Sequence, residues 1–127
     1  EADARVAWVN YAGLPSSPHH DMATKYLPDG PGAVFTFGLA GGRAAGASFI
    51  ESLEMISHLA NVGDAKTLIL HPASTTHSQL TDEQMRAGAV SPDMVRISVG
   101  LEDLDDILYD LDRALDAAHP GGTNSNA

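Results

Sequence analysis

An α+β sandwich, one short sheet with helices packed on a single face, is the fold class this sequence predicts. Three observations lead there. Short β-rich runs at 33–37, 67–70 and 94–99 are interleaved with helical patterns. The longest helical pattern, 42–59, places Ala45, Phe49, Leu53, Ile56 and Leu59 three or four residues apart, with Arg43, Glu51 and Glu54 elsewhere. A second stripe, Leu104, Ile107, Leu108, Leu111 and Leu115, runs through the acidic stretch 102–116.

Taken in order, residues 2–11 fit a helix with Ala4, Trp8 and Tyr11 on one face. The run from Gly13 to Ser17 breaks it. Ser17 as N-cap and Pro18 as first helical residue open a short helix to about Leu27. Pro28-Asp29-Gly30-Pro31-Gly32 has turn composition, and 33–37 reads as a strand. After the 42–59 helix and the 67–70 strand, Thr81 and Gln84 have the spacing of a capping box that starts another short helix. The alternation from Met94 to Val99 reads as a half-buried strand. The final helix follows, and a disordered tail is expected from about His119.

At 127 residues the chain is one domain's worth, and 43% apolar against 19% charged residues is an ordinary globular composition. Cysteine is absent, which removes disulfides and thiolate chemistry. Seven basic against 17 acidic residues give a formal charge of -10, a field that repels nucleic acid and anionic membranes. No apolar run approaches the roughly 20 residues of a membrane span.

Most candidate sites weaken on inspection. His71 and His77, or His19 and His20, have no metal-binding spacing, so no metal is expected; His71, just before Pro72, reads as the end of a strand that orders the following loop. The run from Gly38 to Gly46 follows a strand and opens a helix, the context of a phosphate loop. Yet Arg43 stands where the dinucleotide pattern needs glycine, which favours a tight strand-to-helix connection. No Gly-x-Ser-x-Gly is present. Glu102, Asp103, Asp105 and Asp106 suit the start of a helix, and the rest of the acidic run reads as a solvated face.

Arg96 is different. If Val95, Ile97 and Val99 face one way, Arg96 and Ser98 face the other. A mid-strand guanidinium between β-branched residues needs an anion, and its planar fork suits a carboxylate. That anion is either a substrate carboxylate or an acidic residue of this chain.

Several segments together resemble one family. Arg96-Ile97-Ser98-Val99-Gly100-Leu101-Glu102-Asp103 is similar to the closing motif of the Cys/Met-metabolism pyridoxal-phosphate (PLP) enzymes. So are His71-Pro72-Ala73-Ser74-Thr75-Thr76-His77 and, before it, Asn61-Val62-Gly63-Asp64-Ala65. Tyr11 to Pro18 resembles the family's interdomain linker, and the likeness runs in family order over about residues 4 to 117. Asn-Val-Gly-Asp-Ala and the strand Val34 to Phe37 look most like the O-acetylhomoserine sulfhydrylases; relatives that are cystathionine synthases or lyases, or methionine γ-lyases, more often carry serine at position 61.

The resemblance implies the small C-terminal domain of a fold-type-I PLP-dependent transferase. Residues 1–118 would form the substrate-binding domain, with 1–32 as interdomain helices and linker, 33–118 as the sheet and helix core, and 119–127 as tail. It implies a reaction in which O-acetylhomoserine and sulfide (or methanethiol) give homocysteine (or methionine) and acetate, in a cytoplasmic homotetramer. Arg96 would grip the substrate α-carboxylate, Asn61 would contact it beside Arg96, and Thr76 would help hold Arg96. The Schiff-base lysine and the other cofactor-binding residues of the family lie in a larger upstream domain, so no catalytic or cofactor-binding residue is assigned here and the chain alone is expected to be inactive. Ala23-Thr24-Lys25 echoes the lysine motif only by coincidence. The alternatives are a cystathionine γ-synthase or lyase or methionine γ-lyase relative within the same family and, from another class, a stand-alone small-molecule-binding module that kept the fold and lost the chemistry.

Overall fold

The computed structural model describes residues 1–59, 61–75 and 78–119. Five strands form one sheet: β1 (Val6–Asn10), β2 (Val34–Leu39), β3 (Ser57–His58), β4 (Leu68–Leu70) and β5 (Met94–Ser98), in the order β1-β2-β5-β4-β3. All neighbours are antiparallel except β3 and β4. The helices are α1 (His20–Tyr26), α2 (Gly42–Ser52), α3 (Asp82–Ala87) and α4 (Leu104–Ala118).

The register assigns the two faces. Phe35, Ile97 and Ile69 are paired across the sheet, as are Phe37 and Val95. These side chains meet Ala45, Phe49 and Ile50 of α2 and Ile107, Ala114 and Leu115 of α4 in one core. Phe49, Val95 and Ile97 are fully buried, each stabilising the fold by about 1.5–3 kcal/mol relative to exposure. The predicted sandwich, with its helical layer on one face, is what forms.

Three element assignments are corrected. Residues 2–11 are not a helix: Val6, Trp8 and Val9 are β-formers, and pairing with β2 at the sheet edge overrides the helical spacing of Ala4, Trp8 and Tyr11. It follows that 1–32 is not a set of interdomain helices set apart from the core, because its first element is a strand of the sheet.

The second correction concerns α2, which ends at Ser52 rather than Leu59, with Leu53 extended. The cause lies on α4. The buried Asp110 carboxylate accepts the N–H groups of Glu54 (3.0 Å), Met55 (3.0 Å) and Ile56 (2.9 Å), and Arg113 reaches its Oδ1 at 3.0 Å. These bonds satisfy the chain as it leaves the helix, so the turn after Ser52 needs no helical partners. Burial pushes the Asp110 carboxyl up, but the N–H groups and Arg113 outweigh it and hold it below the usual carboxylate value. The acidic run is therefore not all solvated: Asp110 is a core anchor.

Third, α1 begins at His20, not Pro18, with Ser17 Oγ accepting the His19 N–H in the preceding turn. The predicted capping box is present, Thr81 accepting from Gln84 N and Gln84 Oε1 from Thr81 N. His119 is not tail. It ends α4, and its ring bonds the carbonyls of Leu115 and Ala40. The tail proposed beyond it, 120–127, lies outside the described residues.

An ion cluster around one buried arginine fastens the start of the sheet to the last helix. Arg5, 6% exposed, is held by Asp3 (2.7 Å), Asp112 (2.6 Å) and Asp116 (2.6 Å). The hydrogen bond from Arg5 is the main reason the Asp3 carboxyl is lowered to about 2.

Candidate carboxylate-binding site

The sheet face away from α2 and α4 carries the polar side chains. Arg96 in β5 lies between Thr36 of β2 and Leu70 of β4, with Asn10 beyond Thr36 on the edge strand. Strand alternation sends Val95 and Ile97 into the core, so Arg96 must point to the opposite face. It is half-buried there. Of the two anions the sequence leaves open, the internal one is absent: among the described residues, no carboxylate lies within ion-pair distance of Arg96. The other arginines with buried or part-buried contacts, Arg5, Arg43 and Arg113, are all engaged by this chain's own acidic groups.

The connection between β3 and β4 carries Asn61, which is exposed. Its side-chain Oδ1 accepts the N–H of Val62 at 2.9 Å, leaving the side-chain NH₂ as a donor. Two residues on, Gly63 N–H donates to Ser98 Oγ at 3.3 Å. Ser98 is two residues from Arg96 on the same strand face, so the Asn61 loop is fastened to the Arg96 side of the sheet. The link shown between this loop and β5 is therefore at Ser98, two residues along the strand from Arg96. Thr76 lies outside the described residues; its neighbour Thr75 donates to His71 O at 3.0 Å.

Several groups on both sides of the sheet hold the scaffold. Trp8 crosses Gly38 to donate from Nε1 to Asp93 Oδ2 at 3.0 Å, and a Cβ on Gly38 would lie 1.9 Å from that nitrogen. His71 is fully buried, with Nε2 donating to Pro92 O at 2.8 Å and Nδ1 bonded to Ser74 Oγ at 2.9 Å. It ends β4 and ties the following one-turn 3-10 helix, Pro72–Ser74, to the chain entering β5. Burial, with help from Arg43, holds its imidazole below the usual histidine value. A carbonyl can only accept, so Nε2 carries a proton.

Arg43 was the residue that spoiled the phosphate-loop reading, and the structure gives it other work. Its guanidinium donates to Ala73 O (2.8 Å), Leu80 O (2.9 Å) and Asp82 Oδ1 (2.9 Å), tying the chain before and after 74–79 to the start of α2. Gly41 and Gly42 have positive φ, 102° and 70°, and make the tight strand-to-helix connection.

Glu102 does not serve the helix dipole as expected. The N-cap of α4 is Asp103, while Glu102 turns back to bind Thr67, as taken up below. Sequence reading missed it because the partner is a backbone N–H 35 positions away.

No group of three or more metal-ligating side chains is found among the described residues, nor a helix long and apolar enough to cross a membrane. A PLP site is not fitted by these residues either. Lys25 and Lys66 are both exposed, Lys25 lying over the Tyr26 ring. Two cavities of about 180 Å³, one beside α1 and one between β1, β2 and α4, are lined by no lysine.

The site and fold together define a small α+β domain with a half-buried arginine on the sheet face away from α2 and α4, without a carboxylate partner among the described residues. The sequence profile described as Cys/Met metabolism PLP-dependent enzyme matches residues 1–116, and the chain belongs to that family. Among similar proteins, O-acetyl-L-homoserine sulfhydrylase 1 of Thermus thermophilus is 60% identical over 111 residues, covering 87% of this chain and 26% of the relative. Homocysteine synthase of Schizosaccharomyces pombe is 48% identical over 118 residues, covering 93% and 28%. A solved structure described as an O-acetylhomoserine (thiol)-lyase of Campylobacter jejuni, carrying a pyridoxyl-lysine phosphate at its own position 205, superposes with a TM-score of 0.79 at 32% identity, covering 91% of this chain and 27% of the other. This chain therefore spans only about a quarter of the length of the relatives it matches.

Proposed function

We propose that this chain is the substrate-carboxylate-binding domain of a PLP-dependent O-acetylhomoserine sulfhydrylase. The whole protein would convert O-acetylhomoserine and sulfide (or methanethiol) to homocysteine (or methionine) and acetate. The observation that carries the reading is Arg96: half-buried, mid-sheet, on the face away from α2 and α4 and without a carboxylate partner among the described residues. A guanidinium in that position gains from a planar anion, and an amino-acid substrate brings one. The names of the similar proteins supply the substrate class.

The role is positioning. Fixing the α-carboxylate at Arg96, with the Asn61 amide as a second donor, orients the rest of the substrate toward a cofactor held by residues outside this chain. Thr76 completes the proposed set. The cytoplasmic homotetramer implied by the family resemblance belongs to the same proposal.

The experiment is an assay of the full-length protein with PLP, O-acetylhomoserine and either sulfide or cysteine as acceptor. Homocysteine and acetate formed from sulfide support the reading. Preferential formation of cystathionine from cysteine, or no turnover of O-acetylhomoserine, overturns it.

A further inference from the structure

We propose that Glu102 is a positioning residue for substrate recognition, holding the Asn61 loop in register with Arg96. The proposal rests on the reading of Arg96 and Asn61 just given and adds a residue that touches neither substrate nor cofactor.

The geometry is a set of stitches between two chain segments. Glu102 receives the Thr67 backbone N–H on both carboxylate oxygens, at 2.9 and 2.8 Å, and the Thr67 hydroxyl at 3.0 Å on Oε1. Thr67 Oγ1 in turn accepts Gly100 N–H at 2.9 Å. Leu101 N–H donates to Ala65 O at 2.8 Å, and Gly63 N–H to Ser98 Oγ at 3.3 Å. Every residue from Ser98 to Glu102 except Val99 thus bonds the segment 63–67. At Gly100 a side chain is excluded, since a Cβ there would lie 2.4 Å from Ala65 O and from the Lys66 carbonyl carbon.

The consequence for the site is direct. Arg96 is fixed by the sheet, but Asn61 sits on an exposed connection whose only regular neighbours are the two-residue β3 and the start of β4. Without the stitches that loop has little to set its height above the sheet. Glu102 is the single charged group in the stitch and the one that holds fully buried Thr67 by two atoms. Charge-assisted bonds of this kind are the strong members of such a network. Arg96 and Glu102 are therefore two ends of one device: the first meets the substrate, the second fixes the loop that shares the load.

The test uses the full-length PLP-loaded enzyme. Glu102→Gln keeps the shape and one acceptor, while Glu102→Ala removes both. Binding is read as the change in cofactor absorbance on titration with L-norvaline, which carries the α-carboxylate and no leaving group, alongside KM and kcat for O-acetylhomoserine. Glu102→Ala should weaken norvaline binding and raise KM about 10-fold with kcat within about 2-fold, and Glu102→Gln should recover most of the loss. In the Glu102→Ala background, Asn61→Ala should cost nothing further, whereas Arg96→Ala should keep its full effect. If Arg96→Ala and Asn61→Ala each weaken binding but Glu102→Gln and Glu102→Ala leave it unchanged, or the Asn61 and Glu102 effects add in full, Glu102 is not a positioning residue and the carboxylate site stands. If Arg96→Ala itself leaves binding unchanged, the carboxylate reading falls, and this proposal with it.

Discussion

The two faces of the sheet are built on opposite terms. Under α2 and α4, Asp110 is answered by three N–H groups and Arg113, and His71 by Pro92 and Ser74; among the described residues only Arg113 Nε is a buried side-chain polar atom without a partner. On the other face Arg96 stands half-buried with no answering carboxylate among the described residues. A domain that needed only to fold would neutralise or omit that arginine, since an unpaired, partly desolvated cation costs stability. The contrast separates what the chain needs in order to fold from what it offers to something else.

That contrast can be broken by substitution. On the covered side, Asp110→Ala should have the largest effect, destabilising the fold by about 3–5 kcal/mol, because it strands three backbone donors and Arg113 around a vacated site. Chemical denaturation gives the number, and a cost below about 1 kcal/mol would mean that Asp110 does not terminate α2. Gly46→Ala should cost about 1–3 kcal/mol. Its Cβ would stand 2.3 Å from the His71 ring, which is fully buried and bonded through both nitrogens, so it cannot move aside. A thermal unfolding midpoint equal to that of the parent would show the ring to be loosely held. Arg96→Ala should leave stability within about 0.5 kcal/mol or raise it, since it removes a charge that the fold does not use.

Acid sharpens the same division. His71 titrates below the usual histidine value when folded, so the unfolded chain binds protons first as pH falls. The stability it contributes is complete above the unfolded value of 6.5 and declines as pH drops below it. Asp3 and Asp110 are depressed too, and their contributions are present above the ordinary carboxylate value of 3.8. Asp3's share is lost between 3.8 and about 2. Unfolding followed across this range should therefore show two declines, one starting near 6.5 and one below 4, and His71→Asn should remove only the first.

Much of this was legible in the residues. Strong periodic signals survived: the α4 stripe, the capping box at Thr81 and the alternation that turns Arg96 away from Val95 and Ile97. What was illegible depended on partners far along the chain. Residues 6–10 became a strand because β2 offered its edge, and α2 stopped early because Asp110, more than 50 positions later, captured the next three N–H groups. Glu102 shared a helix-start pattern with Asp103, Asp105 and Asp106, and only the fold assigned it to Thr67. The half of the site carried by strand alternation could be read; the half carried by a loop could not be placed.

The central claim is that Arg96 holds a substrate carboxylate. The most direct measurement compares binding of L-norvaline and its carboxamide to the full-length PLP-loaded enzyme, with Arg96 intact and as Arg96→Ala. Removing Arg96 should weaken norvaline binding by about 2–4 kcal/mol and leave the uncharged carboxamide nearly unaffected. Equal losses for both ligands, or none for either, would contradict the account.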